Sequence, residues 1–472
     1  MKSRKSCAAF TSLVLFCVIS AFAAPVVTVT SAVQESKTNS VKVVYTLSEP
    51  AVVTFDVRTN NVSIAEDQVW SVSGDINRKL AAGTHEFVWF PHTGWPDGVS
   101  SADCRIALVP WALDNPPDYM VVKLGLSSNV TFYASAGAVP FGIASEASRR
   151  HQMVFRRIRA AGVRWRMGTD GDTTGREIPH YVTLTNDYYI GVYPVTCEQH
   201  NMFLTPYSNA ALVGPKPDNQ QSYETLRGVT SGHNWPTDGH AVASDSVIGT
   251  LRIHAGLDGL DLPTEAEWEF ACRAGNSGSW CCGNDVSLLP LYAWYSYRYG
   301  RNAGMPPVGL LRPNAFGLYD MHGTGFEWCL DWYSEGVAYC TAGAEVTAPT
   351  GPNTGSGRVI RGGSYAHDEC YASSACRYQN GQSPGSPYTT LIYRLCCPVN
   401  MRTAEDGAGT GGTPVAALAS VTDFAPAAKS SVCVESLGTA QYPLDFLSIF
   451  DIAKDGLDFD SREPKGAFLM IR

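Results

Sequence analysis

The chain has 472 residues, 44% hydrophobic and 17% charged, with a net charge of -9. A single core rarely grows to that length, so two or more domains are expected, and the composition suits a folded chain rather than a disordered one. The acidic balance and the lack of a long basic run argue against nucleic-acid partners, which require clustered Lys and Arg to displace counterions.

The first residues read as a signal peptide. Lys2, Arg4 and Lys5 supply a positive region, Ala8 to Phe22 is apolar, and Ala21-Phe22-Ala23 fits a small-x-small cleavage site. Cleavage is placed after Ala23, because cleavage one residue later would leave Pro25 beside the scissile bond. The expected location is secreted or periplasmic, in the cell envelope. No later stretch is long and apolar enough for a membrane span. Of the 14 cysteines, Cys7 and Cys17 leave with the signal. The even remainder sits in a compartment that permits disulfides, whose connectivity sequence alone does not give. No Cys or His spacing resembles a zinc site.

Residues 24–134 alternate as β-strands do. Val41, Val43, Tyr45 and Leu47 form one set, Val53, Phe55 and Val57 a second, and His85, Phe87 and Trp89 a third. Turn-rich pieces, Ser71 to Asp75 and Trp95-Pro96-Asp97-Gly98, separate them. An immunoglobulin-like β-sandwich is expected, serving as a spacer or adhesion module. Residues 135–150 are small and polar and read as a linker. Residues 151–400 form the central domain. Residues 401–472 open with Gly and Ala and read as a linker with a small C-terminal β segment near Gly466 to Arg472.

Within the central domain, Thr264-Glu265-Ala266-Glu267 has the form of a capping box, in which the Thr oxygen accepts the N–H of Glu267 and the Glu reaches back. Trp268, Ala271 and Cys272 then share one helical face. Thr196-Cys197-Glu198-Gln199 repeats the form ahead of Met202 and Phe203.

A series of blocks follows one order along the chain. Arg166-Met167-Gly168 leads to Glu177, Pro179 and His180, then to Tyr193-Pro194-Val195-Thr196. Leu262-Pro263-Thr264-Glu265-Ala266-Glu267-Trp268-Glu269-Phe270 comes next, then Asn314-Ala315-Phe316-Gly317-Leu318-Tyr319-Asp320-Met321-His322-Gly323 and Glu327-Trp328. Arg358-Val359-Ile360-Arg361-Gly362-Gly363-Ser364-Tyr365 closes the series, with Arg377 and Arg394 after it. In this order the blocks resemble the formylglycine-generating enzyme (sulfatase-modifying factor) family. The resemblance implies an α+β, C-type-lectin-like fold, here preceded by an all-β sandwich. Gly362 and Gly363 allow backbone angles closed to other residues. Trp268, Cys272, Glu327, Arg361, Arg377 and Arg394 are expected to be structural, with Glu327, Arg361 and Arg377 candidates for buried ion pairs.

The family's activity is an oxidoreductase chemistry that converts a sulfatase cysteine to formylglycine with oxygen and copper(I). The soft ion is held by a pair of thiolates shortly after the Gly-Gly-Ser-Tyr block. At those places this chain has His367 and Ala372; counted back from Arg377, the second place falls on Glu369. Cys370 and Cys376 lie nearby and leave three readings open: a displaced copper site, a local disulfide, or separate disulfides. The resemblance favours a Cys272–Cys376 disulfide. Ser364 matches the serine that lies beside the copper thiolates. Ser364, His367, Cys370 and Cys376 are therefore the catalytic candidates, while copper itself is not expected. Iron-binding relatives draw histidines from a helical domain that has no counterpart here. For calcium, the family's Asn is replaced at Thr324, which leaves Glu327 as the candidate ligand.

The same fold also serves as a ligand-binding scaffold. The segment from Tyr365 to Tyr393 carries Tyr365, Tyr371, Tyr378 and Tyr388 among Ser, Asn and Gly, a mix of rigid aromatic anchors and adaptable polar neighbours. Two functions are expected in competition. One is a secreted binding module, lacking the copper pair, for an extracellular or envelope protein or a glycan. The other is an oxidase of a sulfatase cysteine, or a non-haem iron oxidase of the same family.

Overall fold

A computed structural model describes residues 24–35, 40–59, 62–63, 71–91, 104–125, 129–172, 175–204, 214–219, 221–228, 232–296, 304–335, 342–379 and 389–399, with two short strands at 417–418 and 432–433. The expected signal peptide, Tyr388 and the Gly466 to Arg472 segment lie outside the described residues.

Period-two alternation builds the N-terminal sandwich. Strands Val27–Glu35, Ser40–Leu47, Gly83–Trp89 and Val72–Gly74 form one antiparallel sheet. Ala51–Thr59 and Cys104–Ala112 pair in the other. Val41, Val43, Tyr45, Phe87 and Trp89 from the first sheet meet Val53, Phe55, Val57, Ile106 and Leu108 from the second in one core. The opposite face of the second sheet is buried as well. Val52, Val109 and Trp111 belong to the core of the central region, together with Met120, Phe132 and Tyr189. Trp111 can enter that apolar layer because its indole N–H donates to Thr54 Oγ1 at 2.8 Å.

The boundary expected at residue 134 does not coincide with the sheet pairing. Strands Tyr119–Lys123 and Asn129–Tyr133 join Gln152–Ile158, Tyr188–Gly191 and Cys396–Pro398 in a five-stranded sheet. Alternation has the same period in both sheets, so it shows that these residues form strands but not which partner they choose. Residues 135–150 are likewise more than a spacer. Val139 is buried, and the helix Glu146–Arg150 is capped by the Ser145 side chain. The Arg149 carbonyl accepts the Thr196 hydroxyl at 2.8 Å.

Both capping boxes form. Thr264 Oγ1 accepts from Glu267 N while Glu267 Oε2 accepts from Thr264 N at 2.8 Å, opening the helix Glu265–Arg273. Thr196 and Gln199 do the same for Cys197–Phe203. Each cap contributes about 1 kcal/mol, which matters because helices this short are unstable alone. A four-stranded sheet runs in the order Arg377–Gln379, Arg358–Arg361, Phe326–Trp332, Leu391–Ile392. Every residue of Phe326–Trp332 and of Arg358–Arg361 is buried. Loops around this sheet are held by buried arginines. Arg358 lies over the Trp332 ring at 3.4 Å and donates to the Leu330 carbonyl at 2.7 Å. Arg227 pairs with Asp261 at 2.8 Å. Among the described residues, no helix is long and apolar enough to cross a membrane.

Candidate functional site

The helix Glu265–Arg273 presents two carboxylates, four residues apart, to the four-stranded sheet. Such a spacing puts them on one helical face. Glu265 pairs with Arg377 through bonds of 2.5 and 2.8 Å, and Glu269 pairs with Arg273 and Arg361. Between them, the Trp268 indole donates to Glu327 Oε2 at 2.7 Å. Arg394 closes on the same carboxylate at 2.7, 3.0 and 3.1 Å. The residues expected to be structural are thus one buried framework; Trp268, Cys272, Glu327, Arg361 and Arg394 are each at most 1% exposed.

This geometry bears on the calcium reading of Glu327. Its carboxylate is neutralised by Arg394 and already accepts from the Trp268 indole, so a hard cation would have to displace a guanidinium. Thr324, in place of the family's Asn, is buried beside it and adds no carboxamide oxygen.

Directly after Arg361, Gly362 and Gly363 take φ of 93° and 76°. A Cβ on Gly363 would meet the Tyr371 carbonyl at 2.8 Å, so the chain can pass this closely only as glycine. The turn delivers Ser364, whose Oγ lies 2.6 Å from His367 Nδ1. Ser364 Oγ also accepts the Ala366 N–H at 3.3 Å. The His367 ring packs edge-on against Phe326 at 5.0 Å and against Tyr371 at 5.1 Å. Tyr378 stacks on Phe326 at 5.8 Å and meets Tyr371 at 5.9 Å. Four rings therefore form a continuous cluster. Phe326 is its buried floor, His367 and Tyr371 are half-buried, and Tyr378 is 41% exposed. Tyr365 is half-buried beside it, tied through its N–H to the Thr324 carbonyl at 3.2 Å.

Of the four catalytic candidates, only Ser364 and His367 are joined by a hydrogen bond. Cys370 is exposed on the 3-10 turn Glu369–Ala372, and Cys376 is half-buried beyond it, with its N–H on Ser373 Oγ at 3.1 Å. Burial pushes the Cys376 thiol up to about 12 and raises that of Cys370, so neither is presented as a thiolate. His367 and Ala372, which the resemblance sets at the two thiolate places, offer an imidazole and a methyl group, and Glu369 in the other register offers a carboxylate; copper(I) favours two thiolates. Among the described residues, no group of three or more His, Cys, Asp or Glu is placed to hold a metal ion. The Cys272–Cys376 bridge is not formed: both thiols are free. Cys272 Sγ instead faces the Met321 carbonyl and Ser374 Oγ, each at 3.8 Å.

Phe326 was not singled out in the sequence. Its signal was present, since it is the aromatic residue two places after Thr324, between that departure and the Glu327-Trp328 block. Ser364 and His367 were found from their positions relative to Gly362-Gly363.

A protein-family model described as the sulfatase-modifying factor enzyme 1-like domain matches residues 144–395. The formylglycine-generating enzyme of Streptomyces coelicolor is 37% identical over 156 residues, which is 30% of this chain and 48% of that protein. A Chlamydia pneumoniae protein named serine/threonine-protein kinase pkn1 is 29% identical over 238 residues, 48% of this chain and 35% of that one. The chain thus spans less than half the length of these curated relatives. Among solved structures, Treponema denticola variable protein 1 aligns with a TM-score of 0.42 and 24% identity, covering 52% of this chain and 95% of that one. The family match takes in more than half of the chain and contains the helix Glu265–Arg273, the buried arginines and the Gly362-Gly363 turn. The chain belongs to the sulfatase-modifying factor enzyme 1-like family.

Proposed function

We propose that the central domain is a binding module whose contact surface is built on Tyr365, Tyr371 and Tyr378 over Phe326 and His367. The observation that carries this reading is the four-ring cluster, in the segment where the resemblance would set the family's copper thiolates. An imidazole held by Ser364 is a wall for a flat ligand and a poor substitute for two soft anionic sulfurs. Exposed tyrosines on a rigid floor give contact area at small entropic cost. The ligand class is a partner that offers a flat apolar face, namely an extracellular or envelope protein, or a glycan.

The test has two arms on the full chain. In a binding screen of envelope proteins and glycans, Tyr371→Ala and Tyr378→Ala are expected to weaken the captured ligand by about 1–3 kcal/mol each. Unchanged affinity in both would remove the cluster from the site. In the second arm, the protein is supplied with copper(I), oxygen and a Cys-x-Pro-x-Arg peptide. No aldehyde is expected; a formylglycine product would establish the oxidase instead.

Export through the N-terminal signal is part of the same proposal, because it places the module among such ligands. N-terminal sequencing of the exported protein is expected to begin at Ala24. A chain that still begins at Met1 in the envelope fraction would remove this part.

A further inference from the structure

Cys281 and Cys282 occupy the two central positions of a reverse turn in which Trp280 and Gly283 exchange backbone hydrogen bonds of 3.0 and 2.9 Å. Both cysteines are half-buried and free. Their thiols lie close enough to shift one another, Cys281 upward and Cys282 downward. The chain's other Cys-Cys pair shows that adjacency alone does not achieve this. Cys396 and Cys397 lie on a strand, where successive side chains point to opposite faces, and they enter two different cores.

The turn is anchored to the aromatic segment. Cys281 N–H donates to His322 Nε2 at 3.1 Å, and His322 Nδ1 donates to the Ala372 carbonyl at 2.7 Å. A backbone N–H can only donate and a carbonyl can only accept, so this fixes one neutral tautomer. Burial agrees, holding His322 down at about 4. Ser374 N–H reaches the Ser279 carbonyl at 2.7 Å, and the Trp280 indole N–H reaches the Glu369 carbonyl at 3.4 Å.

We propose that Cys281 and Cys282 form a vicinal dithiol site that closes reversibly into a ring disulfide by exchange with an external disulfide. This inference is independent of what the aromatic cluster binds. Neighbouring Cα atoms are about 3.8 Å apart, shorter than the roughly 4.4–6.8 Å that relaxed disulfides span. The ring is therefore strained, and strained disulfides are easily reduced and suit exchange rather than permanent cross-linking. Cys282 is the less buried of the two and its thiol is lowered by the neighbouring Cys281, which makes Cys282 the attacking sulfur. Its thiolate forms a bond to one sulfur of the donor and expels the other as a thiol. Cys281 then gives up its proton, attacks the Cys282 sulfur and releases the second donor thiol. The two cysteines lose two electrons and two protons, and the donor disulfide gains both.

Trypsin cleavage after Arg273 and Arg298 places Cys281 and Cys282 in one peptide that excludes Cys272. The full chain is equilibrated in buffers of reduced and oxidised glutathione, acid-quenched, alkylated, digested and weighed. The expected result is loss of two hydrogens within this one peptide, without added glutathione, rising with the oxidised fraction and reversed by dithiothreitol. Phenylarsine oxide, which bridges paired thiols, is expected to block alkylation of both cysteines in the reduced protein. In Cys281→Ser or Cys282→Ser the arsenical adduct should be lost, and the remaining thiol should carry glutathione. The wild-type mass map does not depend on those variants folding. The proposal is overturned if both cysteines stay alkylated while Cys370 is glutathionylated, or if Cys281 is found bridged to Cys272.

Discussion

Arg394→Met is expected to lower the unfolding free energy of the central domain by about 3–5 kcal/mol, the range seen when one partner of a buried ion pair is removed. Urea titration followed by tryptophan fluorescence measures it. Arg394 is wholly buried, and its loss leaves the Glu327 carboxylate with the Trp268 indole as its one donor among the described residues. It also takes donors from three carbonyls: Gly191 at 2.8 Å, Val192 at 3.0 Å and Tyr319 at 2.8 Å. Domains are stable by only about 5–15 kcal/mol, so a loss of this size removes a large share. Glu327→Gln should be milder, because the amide oxygen can still accept from Trp268, although the guanidinium loses its counter-charge. The two changes together should cost less than their sum by about 1–3 kcal/mol, as expected for residues in direct contact. Strict additivity would show that the pair is not coupled. Arg164, paired with Glu345 on the surface, is the contrast: its replacement by Met should change nothing measurable, since solvent screens that pair.

The framework was legible in the sequence as a set of residues, but its pairing was not. Glu327, Arg361 and Arg377 could be named as ion-pair candidates because acids and arginines recur inside apolar blocks. Their partners lie 67, 92 and 112 residues away in sequence; the pairing of Leu391–Ile392 with Phe326–Trp332 decides the first, and the docking of the helix Glu265–Arg273 on the sheet decides the other two. The calcium reading of Glu327 was made without that partner, since spacing cannot show that Arg394 returns to that carboxylate. Both capping boxes were legible because their bonds close within three residues. Tyr371 and Tyr378 were found by composition, whereas Phe326 was hidden in a framework block and joins them only across the sheet. Cys281 and Cys282 carried no signal beyond adjacency, and the reverse turn that brings their thiols close is a property of the folded chain.

Asp331→Asn is expected to stabilise the domain at pH 8 and to leave it nearly unchanged at pH 4. Asp331 is 1% exposed; its Oδ2 accepts the Glu265 N–H at 2.7 Å, and among the described residues its Oδ1 has no hydrogen-bond partner. Burial, and then the nearby Glu265 charge, push its carboxyl up to about 7. The folded chain therefore holds this proton after the unfolded chain has released it, near pH 3.9. The resulting contribution to stability is full below about pH 4, fades as pH rises toward 7, and is gone above that. Asn is neutral throughout and its oxygen can keep the bond from Glu265, so the variant should escape the loss. The gain at pH 8 is expected to be on the order of 2–4 kcal/mol, from about 1.4 kcal/mol for each pH unit of displacement. Other groups oppose this trend in both proteins. Burial raises Asp261 and Glu269, but Arg227 outweighs it at the first, and Arg273 with Arg361 at the second, leaving both low. Their contribution is present above about pH 4 and is lost as pH falls. Asp320, pushed up to about 6 by burial, also titrates in both. These three cancel in the difference between variant and wild type, which leaves Asp331 together with the buried carboxylates that act on it, Glu265 and Glu267. Urea titrations of both proteins at pH 4, 5, 6, 7 and 8 should give a difference that grows with pH. A difference that is constant across that range would mean that Asp331 is already ionised in the folded chain at low pH.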